Sequence, residues 1–431
     1  MESTDCEGHP HPPGAGEERV MAEMTRVSID FDHHSENYAE HWREINAENR
    51  ARCPVAHTEA HGGFWQLSRY ADVAAAARDD ATFSSWYQTP DGSHNGATIP
   101  TGALRQVPIE MDPPEFNDYR KLLNPAFSPA AATRWEPYLR KVATFCVDQF
   151  IESGSCDLVA DLGNPVPSIF TMELLGLPKN GWRKFSDATH SAVHNPPGTP
   201  AHEEAILGLG ALLGEVFETV AARRESPADD LISTLVQARI GGEPISDERI
   251  SQIITLVIFG GVDTTGSLLS SVLEWLSRNP EARERLRTEP ELMPRATDEF
   301  LRYFAPIQVL GRTAAKDCVV GGQHIAAGER VSLSWSSANF DEEAFENPDE
   351  VQLDRFPNRH QTFGIGIHRC LGSNFARVEF AVMLEEVLRR LPDFVIGEGA
   401  EKYRSIAVVN GWVTLPATFT PGPCEGADIG L

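Results

Sequence analysis

The run Phe363-Gly364-Ile365-Gly366-Ile367-His368-Arg369-Cys370-Leu371-Gly372 brings a cysteine, a histidine and closely spaced glycines into one short stretch. Glycines two residues apart let a backbone turn tightly and approach a flat partner, because no Cβ stands in the way. Cys370 comes just before a helix expected over Leu371–Leu391. At a helix head, free N–H groups and the positive dipole end favour a thiolate. They should pull the thiol below its free pKa of about 8.5. Thiolate is the form that ligates iron, and N–H···S contacts tune such a metal. The Gly-x-Gly is no dinucleotide fingerprint, since no third glycine follows at the required spacing.

A second run, Gly260-Gly261-Val262-Asp263-Thr264-Thr265, interrupts an apolar helix. Glycine inside a helix costs about 1 kcal/mol relative to alanine. A buried aspartate costs more unless it is bonded or paired. The sequence offers no packing gain to offset either, and violations of this kind mark function. Gly260 leaves room for a flat cofactor and a diatomic ligand. Thr264 offers a hydroxyl, Asp263 can shuttle protons, and Thr265 reads as structural.

The elements that must position these groups follow from periodicity. A helix is expected over Asp247–Arg278, with Ser246 as N-cap, Asp247 and Glu248 in the first turn, and Asn279-Pro280 as the stop. At about 1.5 Å per residue it spans about 50 Å. Its middle (Ile253, Ile254, Leu256, Val257, Ile258, Phe259) is apolar on all sides, the pattern of a buried helix. From 113 to about 290 the chain reads as mostly helical, with breaks at Pro129, Gly154, Pro178 and 196–200. Short strands are expected at Phe64–Gln66 and within Gln308–Trp335, and a helix over Ala71–Arg78. Residues 86–102 read as a long polar loop. No linker or repeat separates the middle of the chain. The expected organisation is one domain over 27–420, a disordered tail over 1–26, and a fraying C-terminal tail over 421–431.

The 431 residues carry a formal charge of −26. This argues against nucleic acid and against anionic membrane surfaces as general partners. The seven cysteines (Cys6, Cys53, Cys146, Cys156, Cys318, Cys370, Cys424) are widely spaced and form no CxxC. Neither a disulfide framework nor a zinc ribbon is expected, and a reducing cytoplasm is. No signal-peptide h-region and no run of roughly 18 apolar residues is evident, so no membrane span is expected.

The pattern Phe-Gly-x-Gly-x-His-x-Cys-x-Gly matches, at every fixed position, the haem-binding loop of the cytochrome P450 family. The chain resembles soluble, bacterial-type members of that family from about Tyr38 to Pro421, with the motifs in family order. The resemblance implies a triangular, mainly α fold with a smaller β-rich region, and haem b as cofactor. It implies Cys370 as axial ligand, Phe363 shielding the sulfur, His368 at a haem propionate, and Gly364, Gly366 and Gly372 shaping the loop. Gly260 would lie beside the haem, Thr264 would hydrogen-bond dioxygen, and Asp263 would relay protons. Arg120 and Arg312 match propionate-binding positions, whereas Phe116 stands where the family often has histidine. Glu299, Arg302 and Arg355 match a structural charge network.

The implied reaction is reductive activation of O2, with hydroxylation or epoxidation of a hydrophobic terpenoid, steroid or fatty-acyl compound. Family positions suggest a pocket of Trp86, Tyr87, Leu256, Phe259, Ile307, Gln308, Val309, Val408 and Val409, with Leu310 beside them. No flavin or nicotinamide motif appears, so electrons would come from a separate ferredoxin or flavodoxin and its reductase. Arg120, Lys121, Arg369 and Arg377 would form the docking face. A peroxide-driven haem-thiolate peroxygenase and a non-catalytic haem sensor stay open as alternatives.

Overall fold

The computed structural model describes residues 7–8 and 26–431. The expected tail over 1–26 therefore lies outside the described residues, apart from Arg26 and the backbone of Glu7–Gly8, which pairs with Val27–Ser28.

Helices dominate, and one apolar core runs through them. The expected long helix is present but divided. Asp247–Val262 and Thr264–Arg278 meet at Asp263, whose φ of −100° and ψ of −34° depart from helical geometry. Ser246 caps its start by accepting from the Arg249 N–H. Pro165–Leu175, Trp182–His194 and Pro200–Glu225 pack around the first half. Ser373–Arg390, the helix behind the cysteine loop, packs against the second half. It also packs against Pro129–Asp148 and against Met293–Phe304, the helix that carries Glu299 and Arg302.

The β region centres on a sheet in the order 7–8, 27–28, 55–58, 64–67, 330–334, 309–314, 83–84. Arg330–Ser334 runs parallel to Phe64–Leu67 and antiparallel to Val309–Ala314. This sheet carries Arg312 into the interior.

Three expectations need correction. Residues 86–102 are not a bare loop, because Tyr87–Gln88 and His94–Asn95 form a hairpin. The C-terminal segment does not fray. The Asp148 carboxylate accepts from the N–H groups of Glu425, Gly426 and Ala427, and Ile429 is buried. Cys53 is disulfide-bonded, unlike Cys146, Cys156, Cys318, Cys370 and Cys424, which are free. Two helices, Pro200–Glu225 and Asp247–Arg278, are long and apolar enough to cross a membrane by length and composition alone. The second is the buried core helix, and the first carries charge at Glu203, Glu204, Glu215, Glu218, Arg223 and Arg224.

Candidate active site

The cysteine loop turns at Gly364 (φ +66°) and Gly366 (φ +76°). A Cβ on Gly366 would sit 2.4 Å from the Ala77 carbonyl oxygen, so the loop can lie on the Tyr70–Arg78 helix only with glycine there. The Cys370 N–H closes the loop by donating to the Phe363 carbonyl at 2.7 Å. The Gly372 N–H donates to the Cys370 sulfur. Cys370 exposes surface although protein surrounds it on all sides, so that surface faces the interior.

Burial pushes the Cys370 thiol up, and the Gly372 N–H and the charges of Arg120, Arg369 and Arg377 pull it back only in part. The sequence led to the opposite expectation. The helix begins at Ser373, not at residue 371, so Cys370 precedes the N-cap Gly372 and its dipole help is weaker than desolvation. The guanidinium of Arg377 lies 4.6 Å from the Phe363 ring centroid and is held by Asp298 at 2.8 Å.

His368 Nε2 meets Ser85 Oγ at 3.1 Å, and the Phe116 ring packs on the imidazole at 4.4 Å. Its Nδ1 is buried without a partner. Burial, then Arg312 and Arg120, push its pKa down to about 3. Arg312 is 3% exposed, and its Nη1 donates only to the neighbouring Gly311 carbonyl. The nearest opposite charge, Asp112, accepts from Ser84 Oγ and the Ser85 N–H instead. Burial accordingly pushes Arg312 down to about 10. Arg120 donates to the Arg369 carbonyl at 2.6 Å and to Asn124 at 3.1 Å.

Glu299 pairs side-on with Arg302 at 2.8 Å through both oxygens and with Arg355 at 2.9 Å. Glu299 and Arg302 are fully buried. Carbonyls of Asn339, Pro348 and Glu350 take the remaining Arg302 donors. Asn339 in turn bonds Thr362 at 2.8 Å and the Gln361 N–H at 2.7 Å. The charge network is thereby tied to the residues that lead directly into Phe363.

At the helix break, Asp263 is 1% exposed. Its carboxylate meets His190 Nδ1 at 2.8 Å and accepts from the Tyr403 hydroxyl at 3.0 Å and from Ser267 at 3.2 Å. Burial pushes His190 down, but the Asp263 pairing outweighs it and leaves the imidazole above its ordinary value. The Thr264 hydroxyl donates to the Gly260 carbonyl at 2.9 Å. Thr265 is buried and bonds Glu379, whose carboxyl burial pushes up to about 8. Leu256, Gly260 and Thr264, spaced four residues apart, share one face of the helix and keep accessible surface. A Cβ on Gly260 would meet nothing within 4 Å. The second glycine does have a packing reason, which the sequence hid: a Cβ on Gly261 would stand 2.8 Å from Thr171 Oγ1.

The expected pocket residues divide. Leu256, Phe259, Ile307, Leu310 and Val408 keep accessible surface. Phe259 lines a small apolar cleft with Leu104, Phe185, Leu209 and Val216. Ile307 bridges to Val409, which joins the strand after Met293–Phe304 to the C-terminal segment. Gln308, Val309 and Val409 are sealed in the core and present nothing to a pocket. Gln308 spends its amide on the Ala305 carbonyl at 2.6 Å. Ile307 and Leu310 stay accessible on either side of Gln308 and Val309, so the packing around this segment, not simple alternation, makes the division. Trp86 stacks on His94 at 4.6 Å and under Arg105 at 4.3 Å, and the Tyr87 hydroxyl lies beside Gly328.

A family model described as cytochrome P450 matches residues 209–393. The steroid C26-monooxygenase of Mycobacterium tuberculosis is 33% identical over 82% of this chain and 96% of its own length. The chain belongs to the cytochrome P450 family. The linalool 8-monooxygenase of Pseudomonas putida is 32% identical over 88% of the chain and 95% of its own length. Among solved structures, a Mycobacterium marinum cytochrome P450 in complex with pseudoionone superposes with a TM-score of 0.84 at 28% identity, covering 92% of this chain and all of that one.

This P450 is thus an oxidoreductase of the monooxygenase class, and its family implies a haem. The residues present fit one. Arg312 is a buried cation with no carboxylate of its own, and His368 beside it has an unpartnered ring nitrogen. Both suit the carboxylates of a haem edge, while Cys370 turns its sulfur to the same interior. Sequence reasoning missed His190, Tyr403 and Ser85. The first two lie 73 and 140 residues from Asp263, and nothing local marks them.

Proposed function

We propose that this P450 inserts one atom of O2 into a hydrophobic terpenoid, steroid or fatty-acyl compound by hydroxylation or epoxidation. Bound haem b would supply the iron on which O2 is reduced, with thiolate electron density favouring O–O cleavage. The chain's own residues do the rest. Cys370 holds the metal, with Phe363 and the Gly372 N–H shielding and polarising its sulfur. Arg120, Arg312 and His368 anchor the propionates. Gly260 leaves space beside the macrocycle. Thr264 presents a hydroxyl to the reacting oxygen, and Asp263 passes it protons. His190, 13% exposed at the side chain, is the titratable partner of Asp263, with Tyr403 bridging the two.

Leu256, Phe259, Ile307, Leu310 and Val408 form an apolar wall that suits a nonpolar substrate. The names of the relatives point the same way: they are a steroid and a linalool monooxygenase, and the solved neighbours hold pseudoionone and testosterone. A separate ferredoxin or flavodoxin with its reductase delivers electrons in the cytoplasm. It docks where Arg120, Lys121 and Arg369 gather on an otherwise acidic chain, while Arg377 is held inward by Asp298. The observation that carries this reading is the acid–alcohol pair at the helix break, bonded to a titratable histidine, in a protein whose cysteine loop leads into the neighbouring helix.

The test is spectral and then catalytic. The reduced holoenzyme should give a thiolate-type carbon monoxide spectrum that Cys370→Ala abolishes. A panel of terpenoids, steroids and fatty acids should displace iron-bound water, and the binders should be oxygenated when ferredoxin and reductase are supplied. Oxygenation with peroxide alone and none with the electron donors would overturn the monooxygenase reading in favour of a peroxygenase. Binding without product in either case would favour a sensor.

A further inference from the structure

Far along the chain from the cysteine loop, four titratable side chains converge between the first strands and the first long helix. One donor atom each from Asp32, His33 and His61 lies within 4.8 Å of the others. The His61 and His33 rings are 5.4 Å apart, and His34 packs against both, at 4.6 Å from His33 and 5.0 Å from His61. His61 Nε2 meets Asp32 Oδ1 at 2.7 Å.

His33 is the decisive member. It is 1% exposed, and its Nε2–H donates to the Ile99 carbonyl at 2.8 Å. That bond fixes the tautomer and leaves Nδ1 a bare lone pair, buried and without a hydrogen-bond partner. A buried acceptor with no donor is costly unless something satisfies it. An imidazole whose far N–H is held by a backbone carbonyl is how metal-ligating histidines are oriented. His61 adds a second sign, since its φ of +53° is unusual for a residue other than glycine.

We propose that Asp32, His33 and His61 form a binding site for a divalent transition-metal ion of the zinc type. Two neutral imidazoles and one carboxylate are borderline donors that suit zinc, and water would complete the coordination from the partly exposed Asp32 and His61 side. Tetrahedral ligands on zinc are at about 2.0–2.2 Å from the metal, so the donors need to close by a small rotation of the two rim side chains. Only imidazoles with a free nitrogen and an ionised carboxylate can ligate the ion, so binding weakens as pH falls. The site joins the segment before Glu36–Arg52, the turn at Ala60–Gly62 and, through Ile99, the loop at 86–102. Its role is to brace those three pieces.

The full-length holoenzyme, stripped with a chelator, is titrated with Zn2+ alone against a chromophoric competitor. Wild type should take up one tight equivalent and show a higher urea midpoint with zinc than without. Asp32→Asn keeps the side-chain shape, and His61→Asn suits the left-handed backbone. Each should weaken binding by well over about tenfold, the lower bound seen even for outer partners of metal ligands. His9→Ala/His11→Ala should leave the equivalent in place. The proposal is overturned if wild type binds no more tightly than the two site variants, or if the equivalent disappears with His9 and His11.

Discussion

Replacing His190 by glutamine tests the Asp263 relay directly, and both the size and the pH dependence of the effect follow from its geometry. Asp263 is 1% exposed, and His190 Nδ1 lies 2.8 Å from its carboxylate, a contact that favours the charged imidazole. Removing one partner of a buried pair costs about 3–5 kcal/mol when the other charge is stranded. Here the Tyr403 and Ser267 hydroxyls remain on the carboxylate, so the expected loss falls below that range, at about 2–3 kcal/mol. The sign with pH is set by the upward shift of His190. A histidine whose folded pKa exceeds its unfolded value of about 6.5 contributes fully below that value. The contribution fades as pH rises through the folded pKa, at up to about 1.4 kcal/mol per pH unit. Urea unfolding of holoenzyme and variant, at matched haem content, should therefore show a wide gap at pH 6 and a narrower one at pH 9. A gap that is constant, or that widens with pH, would refute the assignment of His190 as the cation on Asp263.

Arg312→Leu removes an uncompensated buried cation, so the apoprotein should unfold at higher urea while haem transfers faster to apomyoglobin; slower transfer would contradict its role as a propionate anchor. Glu299→Gln leaves Arg302 and Arg355 buried without their counterion and should cost about 3–5 kcal/mol, read as loss of soluble, haem-loaded protein. Thr264→Ala breaks only a bond to the Gly260 carbonyl. It should shift stability by no more than about 1 kcal/mol while product per reductant consumed falls sharply. Gly366→Ala forces a methyl towards the Ala77 carbonyl at a φ of +76° and should cost about 1–3 kcal/mol, seen in the urea midpoint.

Local signals in the sequence located the cysteine loop, the helix interruption and the Glu299–Arg302 pair, because each rests on neighbours a few residues apart. Ser246, Asn279 and Pro280 likewise marked the ends of the long helix. What stayed hidden depends on distant contacts. The packing of Gly261 on Thr171, the docking of the C-terminal segment on Asp148 and the meeting of His190 and Tyr403 at Asp263 all join residues that periodicity cannot pair. The pocket was half legible for a related reason. Family position named both Ile307 and Gln308, but only the packing of the folded chain decides which of two neighbours stays accessible. The thiol's direction was misjudged because desolvation depends on the whole surrounding fold.

The two adjacent glycines of the divided helix have opposite freedoms. At 261 the backbone of one helix rests against the side of another, and any added carbon would prise them apart. At 260 the same addition meets open space and, in a helical position, carries a backbone gain of up to about 1 kcal/mol. In the function proposed above, position 260 becomes a dial for the volume and orientation of the compound bound beside it. Alanine, serine or valine there would trim the cavity in steps while the hinge next door stays fixed, so selectivity can be retuned without rebuilding the machinery around it.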